Sequence, residues 1–415
     1  METAYDVAVI GAGPAGLMAA GRAGESGAKT VLVEKNTAAG LKLLMTGGTR
    51  CNLTNYLEDK KILASHFGLA GRFLISAFSR FGPAETLDFF AALGLRTKTE
   101  ENNRVFPADD SSRSVLRTLL DYVKKSGVEI KTNAAVADIV LESGRIAGLV
   151  LVNGEKITAA NYIIATGGQS YPMTGSSGDA YKWLKKMGHK IVATSPALTP
   201  IIVSDRLIQE LEGLSREETG LNLFQDGKNV ASSQGSSIFT ATGLSGPAAL
   251  NLSRFIKPSL RHNRELAVDF FPAWTAEQLD ARFLAIFSGS NKTVKNSLAS
   301  LLPPKLIPVL GKSLRLNLDK PSNSVTKMER RQLAGQLKDW RFRIQGLAGY
   351  DKAMITSGGL DLKELDPKTM RSKLIPNLFV AGEVLDIAGP TGGFNLQACW
   401  STGRIAGEAA SRLDF

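Results

Sequence analysis

The chain has 415 residues, of which 43% are hydrophobic and 21% charged, a composition that excludes a disordered or fibrous protein. Its length predicts two or three domains. The net charge of +11 comes from 50 basic and 39 acidic residues, with no block of five like charges. We interpret this charge mainly as a solvated surface and do not predict a nucleic-acid partner, although charge alone leaves that question open.

Cysteine and histidine are scarce. The two cysteines, Cys51 and Cys399, form no C-x-x-C motif, which argues against a redox dithiol and a cysteine-rich zinc site. His66, His189 and His262 are isolated, and we predict no metal site. No uncharged stretch of about 18 residues could span a bilayer, and the first predicted strand begins too early to follow a cleavable signal. These features predict a cytoplasmic protein without a membrane partner.

The N-terminal region has the pattern of a strand, a glycine-rich turn, a helix and a second strand. Residues 5–10 predict a buried parallel strand, 14–26 a helix and 29–34 the next strand. The turn reads Gly-Ala-Gly-Pro-Ala-Gly from residue 11, the spacing of a dinucleotide-binding loop. The alternative is a tight strand–helix turn that holds no ligand.

Each part of this pattern has a physical role in binding a dinucleotide. Glycine permits the tight turn, the close approach of a pyrophosphate and close helix packing. The N–H groups at the start of the helix favour negative phosphate, and an acid at the end of the second strand can accept hydrogen bonds from ribose hydroxyls. The cofactor-binding residues predicted here are Gly11, Ala12, Gly13, Ala15, Gly16, Glu34 and Lys35.

A second glycine-rich stretch with two cations follows at residues 40–52. Such a loop can lie over a pyrophosphate and the edge of a flavin, with Arg50 pairing with phosphate in a forked geometry and Lys42 acting as a point charge. The alternative is a surface loop with incidental basic residues. We interpret Cys51 as a small structural cysteine and not as a nucleophile. The predicted cofactor contacts of this stretch are Lys42, Leu43, Thr49, Arg50 and Cys51.

The middle of the nucleotide domain predicts helices at 84–94 and 113–126 and strands at 128–132, 135–141 and 146–152. A further apolar strand at 161–165 ends in Thr166-Gly167-Gly168. In a doubly wound sheet such a strand end can pass close to the adenosine side of the cofactor. We therefore predict contacts at Thr166 and Gly167, and a backbone contact of Val136 with the adenine.

The pattern of apolar residues changes from about residue 195. Short strand-like runs at 198–203, 221–225, 236–240 and 266–271 predict a small antiparallel sheet or barrel, and helices follow at 275–287, 292–302 and 326–338. The predicted domains are residues 1–194 and 357–415, which form the nucleotide domain, and an insertion at 195–356 with a helical subdomain at about 275–340.

The C-terminal region predicts a strand ending in Gly382-Glu383, then the loop Gly389-Pro390-Thr391-Gly392-Gly393 and a helix to about Ser411. Asn395 is a good N-cap for that helix. The helix N-terminus, directed at the pyrimidine edge of a flavin, would stabilise the anion that forms on reduction. The predicted contacts are Gly382, Glu383, Gly393, Asn395 and Leu396.

In this order the motifs resemble a family of NAD(P)/FAD-dependent, aminoacetone-oxidase-like flavoproteins that includes proteins linked to bile-acid 7-oxo reduction. The most specific matches are the Arg50-Cys51-Asn52 segment and the loop that ends in Phe394-Asn395. The resemblance implies an α/β fold: a discontinuous, Rossmann-like, glutathione-reductase-like FAD domain with an inserted β-barrel-like domain and a helical subdomain. It also implies FAD contacts at Ala12, Glu34, Arg50, Glu383, Asn395 and Leu396. The chain departs from the family pattern at Thr49, where a third glycine is common, and at Cys399.

The sequence thus predicts an FAD-dependent oxidoreductase that acts on a small organic substrate, with no catalytic side chain identified. No second G-x-G-x-x-G motif is present, so either NAD(P)H binds without that fold or the substrate reduces FAD directly. Two alternatives remain: an FAD-dependent RNA-modifying enzyme and a non-catalytic flavin-binding regulator. The sequence does not indicate the substrate or the oligomeric state.

Overall fold

The computed structural model describes residues 4–257, 263–289 and 291–412, so His262 lies outside the described residues. The chain divides into two compact units: Met1–Pro196 with Ala353–Phe415, and Ala197–Lys352. The predicted domain boundaries at 194/195 and 356/357 remain a prediction about domain organisation.

The first unit is built from alternating strands and helices before the chain enters the second unit. Its strands here are β1 (Tyr5–Ile10), β2 (Thr30–Val33), β3 (Thr54–Asn55), β4 (Thr97–Glu100), β5 (Arg104–Pro107), β6 (Glu129–Lys131), β7 (Val136–Glu142), β8 (Arg145–Leu151), β9 (Lys156–Ile157), β10 (Ala159–Ile164) and β11 (Ile191–Ala197). Its helices are α1 (Pro14–Glu25), α2 (Leu41–Met45), α3 (Lys60–Ser65), α4 (Gly71–Arg80), α5 (Pro83–Ala92), α6 (Ser112–Lys125) and α7 (Asp179–Lys186).

The second unit combines a closed antiparallel barrel with a group of helices. Its strands are β12 (Ile201–Val203), β13 (Ser215–Gln225), β14 (Lys228–Thr240), β15 (Gly243–Ser245), β16 (Arg264–Asp269) and β17 (Trp340–Leu347), and the barrel order is β12-β15-β14-β13-β16-β17. Its helices are α8 (Arg206–Glu210), α9 (Pro247–Ser253), α10 (Ala276–Phe287), α11 (Val294–Leu298), α12 (Leu306–Leu314) and α13 (Lys327–Lys338). Apolar side chains of the barrel and the helices share one core.

The chain then returns to the first unit with β18 (Ile355–Leu360), β19 (Leu378–Val380) and α14 (Phe394–Ala410). The central sheet has the order β19-β10-β1-β2-β6, and its described pairs are parallel. A strand that is buried on both faces needs a continuous apolar run. The apolar segments near the N-terminus and the C-terminus meet this need, and both supply strands to this sheet. The sheet therefore contains strands from both ends of the chain.

Helices α1 and α14 pack closely because their contact is made of small residues. A Cβ atom on Gly403 would lie 2.4 Å from the carbonyl oxygen of Ala15, and one on Gly407 would lie 2.2 Å from that of Ala19. Both distances are far below a van der Waals contact, so the two backbones touch directly. This contact joins the first helix of the chain to the last.

The predicted α/β class with a Rossmann-like sheet and an inserted barrel is confirmed. The predicted helix at 292–302 was too long, because α11 spans only Val294–Leu298 and the next helix, α12, begins at Leu306. Pro308 lies in the first turn of α12, where its missing N–H has no intrahelical partner to lose, so it does not end the helix. Within the described ranges, no helix is long and apolar enough to cross a membrane.

Candidate functional site

The carboxyl ends of β1 and β10 meet the start of α1 at one edge of the sheet. Gly11 has φ of 98°, and a Cβ atom there would lie 2.8 Å from the Ala165 carbonyl oxygen. A Cβ atom on Gly16 would lie 1.8 Å from the Gly11 carbonyl oxygen. A Cβ atom on Gly13, in contrast, would meet no described atom within 4 Å. Only glycine fits at positions 11 and 16, and open space lies beside Gly13.

That open space adjoins the first turn of α1. Gly13 supplies no side-chain cap, and the first turn contains no acidic residue. The first N–H groups of the helix have no intrahelical acceptors, and the positive end of the helix dipole is at the same place. The arrangement suits the phosphates of a dinucleotide.

Glu34 follows β2 at the same edge, and the residue is 8% exposed. Its Oε2 accepts a hydrogen bond from the Ala12 backbone N–H at 2.8 Å, and its Oε1 accepts two from Asn36, at 2.9 Å from the backbone N and 2.7 Å from Nδ2. A carboxylate has about four lone-pair sites, so capacity remains for the hydroxyls of a ribose. Lys35 has a different role, because its Nζ binds Ser177 and Asp179.

Two hydroxyl groups near this edge have no hydrogen-bond partner among the described residues. They are Thr166 Oγ1 and Ser176 Oγ, and both atoms are buried. Thr166 adjoins Gly11, because a Cβ atom on Gly11 would lie 2.9 Å from Thr166 Cα. Unsatisfied buried hydroxyls are costly, and in native structures such groups call for a partner or a functional role. The residues present therefore fit a bound nucleotide.

The loop after α2 has several consecutive left-handed residues. Gly47 and Gly48 have φ of 57° and 65°, Thr49 has φ of 73° and Cys51 has φ of 61°. A β-branched residue in this region is a conformational outlier, because its Cβ crowds the backbone. The departure at Thr49 noted in the sequence therefore falls at a position whose backbone suits glycine.

Thr49→Gly is expected to leave the free energy of unfolding unchanged or to raise it by up to ~1 kcal/mol, because relief of the left-handed strain offsets the flexibility of glycine. Thr118→Gly is the control, since Thr118 lies inside α6 with ordinary helical geometry and should lose roughly 0.3–0.5 kcal/mol through helix propensity. Urea unfolding measures both. Equal losses in the two variants would contradict the strain at Thr49.

Lys42 and Glu383 form a half-buried ion pair that joins the two ends of the chain. Lys42 Nζ lies 2.8 Å from Glu383 Oε2 and donates to Ser170 Oγ at 2.6 Å. Glu383 Oε1 also accepts from Ser170 Oγ at 2.8 Å and from the Thr356 backbone N–H at 3.0 Å. Sequence reasoning predicted Lys42 and Glu383 as separate cofactor contacts and missed Ser170 and Thr356.

Arg50 is bound to acidic side chains of its own unit. Its guanidinium pairs with Glu100 and with Asp110, and it lies 4.0 Å from the ring centroid of Phe106. The hydrogen bond to Glu100, followed by that to Asp110, raises the pKa of Arg50 above its ordinary value. The predicted phosphate contact of Arg50 remains a prediction, and the structure gives this residue a second role in holding the loop.

The prediction that Asn395 caps α14 was wrong. The N-cap is Gly393, with φ of 96°, and the helix begins at Phe394. The Asn395 side chain instead closes the preceding loop, since its Oδ1 accepts from the Gly389 N–H at 2.8 Å and its Nδ2 donates to the carbonyls of Gly389 and Pro390 at 3.0 Å. The first turn of α14 therefore has no side-chain cap and keeps its N–H groups for another acceptor.

The C-terminal loop and α14 are attached to the segment that follows the left-handed loop. Asn55 Nδ2 donates to the Gly392 carbonyl at 3.0 Å, Thr54 Oγ1 donates to Gln397 Oε1 at 2.6 Å, and Trp400 Nε1 donates to the Leu53 carbonyl at 2.9 Å. Trp400 and Gln397 are fully buried. The two glycine-rich loops that the sequence assigned to one flavin are thus brought together.

The remaining predicted residues lie around the same edge. Leu43 is fully buried in the core, and Leu396 is half-buried against it. Gly382 has φ of 79° and packs on Ala15, because a Cβ there would lie 2.6 Å from the Ala15 Cβ. Val136 begins β7, two residues after Ala134, whose N–H donates to the Glu34 carbonyl at 2.9 Å. Direct cofactor contact by these residues remains a prediction.

The two thiols are unsuited to nucleophilic chemistry. Burial raises the pKa of both Cys51 and Cys399 to about 12, so each stays protonated near neutral pH. We therefore expect both to react with iodoacetamide at pH 8 on the order of a hundredfold more slowly than after unfolding in urea, where the ordinary thiol pKa of about 8.5 returns. Mass spectrometry of each labelled peptide measures this. Labelling of either native thiol at the unfolded rate would contradict the burial argument.

Comparison with known proteins identifies the class. A family model described as the HI0933-like protein Rossmann domain matches residues 5–409. The chain is 31% identical to a 3-dehydro-bile acid delta(4,6)-reductase of Clostridium scindens, over 98% of both chains, and 30% identical to a ribosomal RNA dihydrouridine synthase of Escherichia coli, over 96% of both. A solved 3-ketosteroid-delta4-(5alpha)-dehydrogenase of Rhodococcus jostii RHA1 shares the fold, with a TM-score of 0.55 at 17% identity, covering 99% of this chain and 98% of the other.

The fold and the comparisons define a flavoprotein oxidoreductase with a Rossmann FAD-binding domain. The chain belongs to the HI0933-like family, and the predicted resemblance, the FAD cofactor and the enzyme class are confirmed. The alternative of a non-catalytic regulator is therefore not kept.

Proposed function

We propose that this enzyme reduces a carbon–carbon double bond conjugated with a carbonyl group. Two relatives support this proposal by the reactions in their names. A 3-dehydro bile acid with Δ4,6 unsaturation carries double bonds conjugated with its 3-oxo group, and formation of dihydrouridine saturates the ring double bond next to a uracil carbonyl. In both reactions one hydride and one proton add across a polarised double bond.

The proposed roles of the chain's own residues follow from the site. When bound, FAD would supply two-electron transfer through its ring. Glu34 would bind the adenosine ribose, and the first turn of α1 would bind the pyrophosphate. The uncapped first turn of α14 would favour negative charge on the ring, an effect typically of about 0.3–2 kcal/mol. The likeness to the two relatives over nearly the whole chain carries the proposed reaction. The attachment of segment 53–55 to residues 392–400 supports the FAD site, because it brings the two loops together.

We further propose that NAD(P)H is the electron donor and that it binds without a second dinucleotide-binding motif. The reductive direction of the relatives' names supports a donor of this kind. Anaerobic stopped-flow mixing of the FAD-loaded protein with NADH or NADPH should bleach the flavin absorbance with one of the two. Persistence of the oxidised spectrum with both nucleotides would contradict the donor assignment.

The substrate class is tested separately, with flavin reduced by dithionite. Mixing with a conjugated 3-oxo-4,6-diene bile acid should reoxidise the flavin while the dienone absorbance decays. The matched control is the saturated 3-oxo bile acid, which offers a carbonyl without the double bond and should leave the flavin reduced. Uridine is tested in the same way. Equal reoxidation of the flavin by the dienone and by the saturated compound would contradict reduction of a conjugated double bond. So would a flavin that neither the dienone nor uridine reoxidises.

A uracil base in RNA is the second candidate substrate, and the distribution of charge favours it. Residues 292–352 contain thirteen Lys or Arg against four Asp or Glu. Lys327 and Arg331 lie one turn apart on α13, both are exposed, and neither forms an ion pair with another described residue. Clustered cations of this kind are typical of a surface that binds phosphates.

This candidate predicts salt-dependent binding to ribosomal RNA. The affinity should fall linearly with salt on logarithmic axes, and K327Q/R331Q should reduce the slope. K61Q/R72Q is the matched control, because it removes the same charge from two exposed positions in the first unit. Equal slopes in the two double variants would contradict a role for α13.

A further inference from the structure

Ser176 has a feature that its neighbours do not explain. The residue is 5% exposed, and its Oγ has no hydrogen-bond partner among the described residues. A buried hydroxyl without a partner costs about 1–3 kcal/mol relative to a satisfied one. Such a cost is retained in proteins at sites that a ligand completes.

The position of Ser176 relates it to the nucleotide edge of the sheet. A Cβ atom on Gly167 would lie 3.0 Å from Ser176 Oγ. Gly167 follows Thr166, whose Oγ1 is also buried and unpartnered and whose Cα packs against Gly11. Thr166 thus lies beside the loop that leads into α1, a twelve-residue helix without a side-chain cap, and Ser176 lies beside Gly167, the residue after Thr166.

The segment that carries Ser176 is held against the residues that follow Glu34. Asn36 Nδ2 donates both to Glu34 Oε1 at 2.7 Å and to the Thr174 carbonyl at 3.1 Å. Lys35 Nζ lies 2.7 Å from Asp179 Oδ2. A Cβ atom on Gly175, which has φ of 93°, would lie 2.4 Å from Asn36 Nδ2. We name residues 171–178 the strap.

We propose that the strap forms a wall of the FAD site and that Ser176, together with Thr166, donates hydrogen bonds to the ADP half of the cofactor. The proposal rests on the FAD-binding function and adds Ser176 and the strap to Thr166, which the sequence already predicts as a cofactor contact. The ligand chemistry is that of an anionic diphosphate joined to a ribose, since hydroxyl donors, free helix N–H groups and a ribose-binding carboxylate converge at one strand edge.

Ser176→Ala tests the proposal in the full-length chain freed of flavin. We expect the Kd for FAD, measured by quenching of flavin fluorescence, and the Kd for ADP to rise by the same factor of about tenfold. The Kd for FMN, which lacks adenosine, should stay within twofold. The melting temperature without ligand should not fall, because the variant removes an unsatisfied buried hydroxyl, whereas the stabilisation by FAD should shrink.

Ser297→Ala is the matched control. Ser297 lies in the second unit, is 4% exposed, and its Oγ also lacks a partner among the described residues. Its removal should leave the Kd values for FAD and ADP unchanged. Unchanged FAD and ADP affinity in Ser176→Ala would overturn the proposal, as would equal weakening of FMN. Failure of the wild-type chain to bind FAD would instead contradict the proposed function.

Discussion

Gly407→Ala is expected to lower the free energy of unfolding by about 2–3 kcal/mol, although alanine ordinarily stabilises a helix. The added Cβ would lie 2.2 Å from the carbonyl oxygen of Ala19, so α1 and α14 would have to separate. Because this contact joins the two ends of the chain, we expect a parallel loss of FAD affinity. Urea unfolding and FAD titration measure the two effects.

Gly335→Ala is the control for this prediction. Gly335 lies in α13, and a Cβ atom there would meet no described atom within 4 Å. The same substitution should therefore raise stability by up to about 1 kcal/mol through helix propensity alone. If Gly407→Ala also proved stabilising, the direct backbone contact between α1 and α14 would be refuted.

Glu34→Gln is expected to raise the Kd for FAD by at least about a hundredfold. The carboxylate accepts from the Ala12 N–H and from Asn36, and an amide cannot accept at both of its ends. The variant would lose charge-assisted bonds to ribose hydroxyls as well, each of about 1.5–3 kcal/mol. Fluorescence titration with FAD measures the change.

Glu142→Gln provides the comparison, because Glu142 is exposed at the end of β7. Removal of its charge should leave the Kd for FAD within twofold. Equal FAD affinity in the two glutamate variants would remove Glu34 from the cofactor site.

The N-terminal half of the site could be predicted because its determinants are local. Apolar periodicity and glycine spacing predicted a strand at 5–10 and a helix at 14–26, and the structure has Tyr5–Ile10 and Pro14–Glu25. Glycine is required at position 16 by its contact with the Gly11 carbonyl. It is required at position 11 by the contact with Ala165 at the end of the neighbouring strand β10. Local sequence is sufficient for such features.

The parts that were missed depend on a competing local hydrogen bond in one case and on contacts between distant segments in the others. Asn395 has the chemistry of an N-cap, but its amide binds the nearby backbone of Gly389 and Pro390, so Gly393 is the N-cap and the helix begins at Phe394. The pairing of Lys42 with Glu383 and the burial of Ser176 follow from tertiary packing. No pattern within ten residues of Lys42 or Ser176 indicates the partner or the burial, because both depend on segments that are far apart in the sequence.

The central claim is that segments from both ends of the chain bind one FAD. Its most direct test is the flavin content of the purified full-length protein, with extraction and chromatography of the bound nucleotide, before and after incubation with FAD. The account predicts a yellow protein with one FAD per chain. A colourless protein that takes up no added FAD would contradict it.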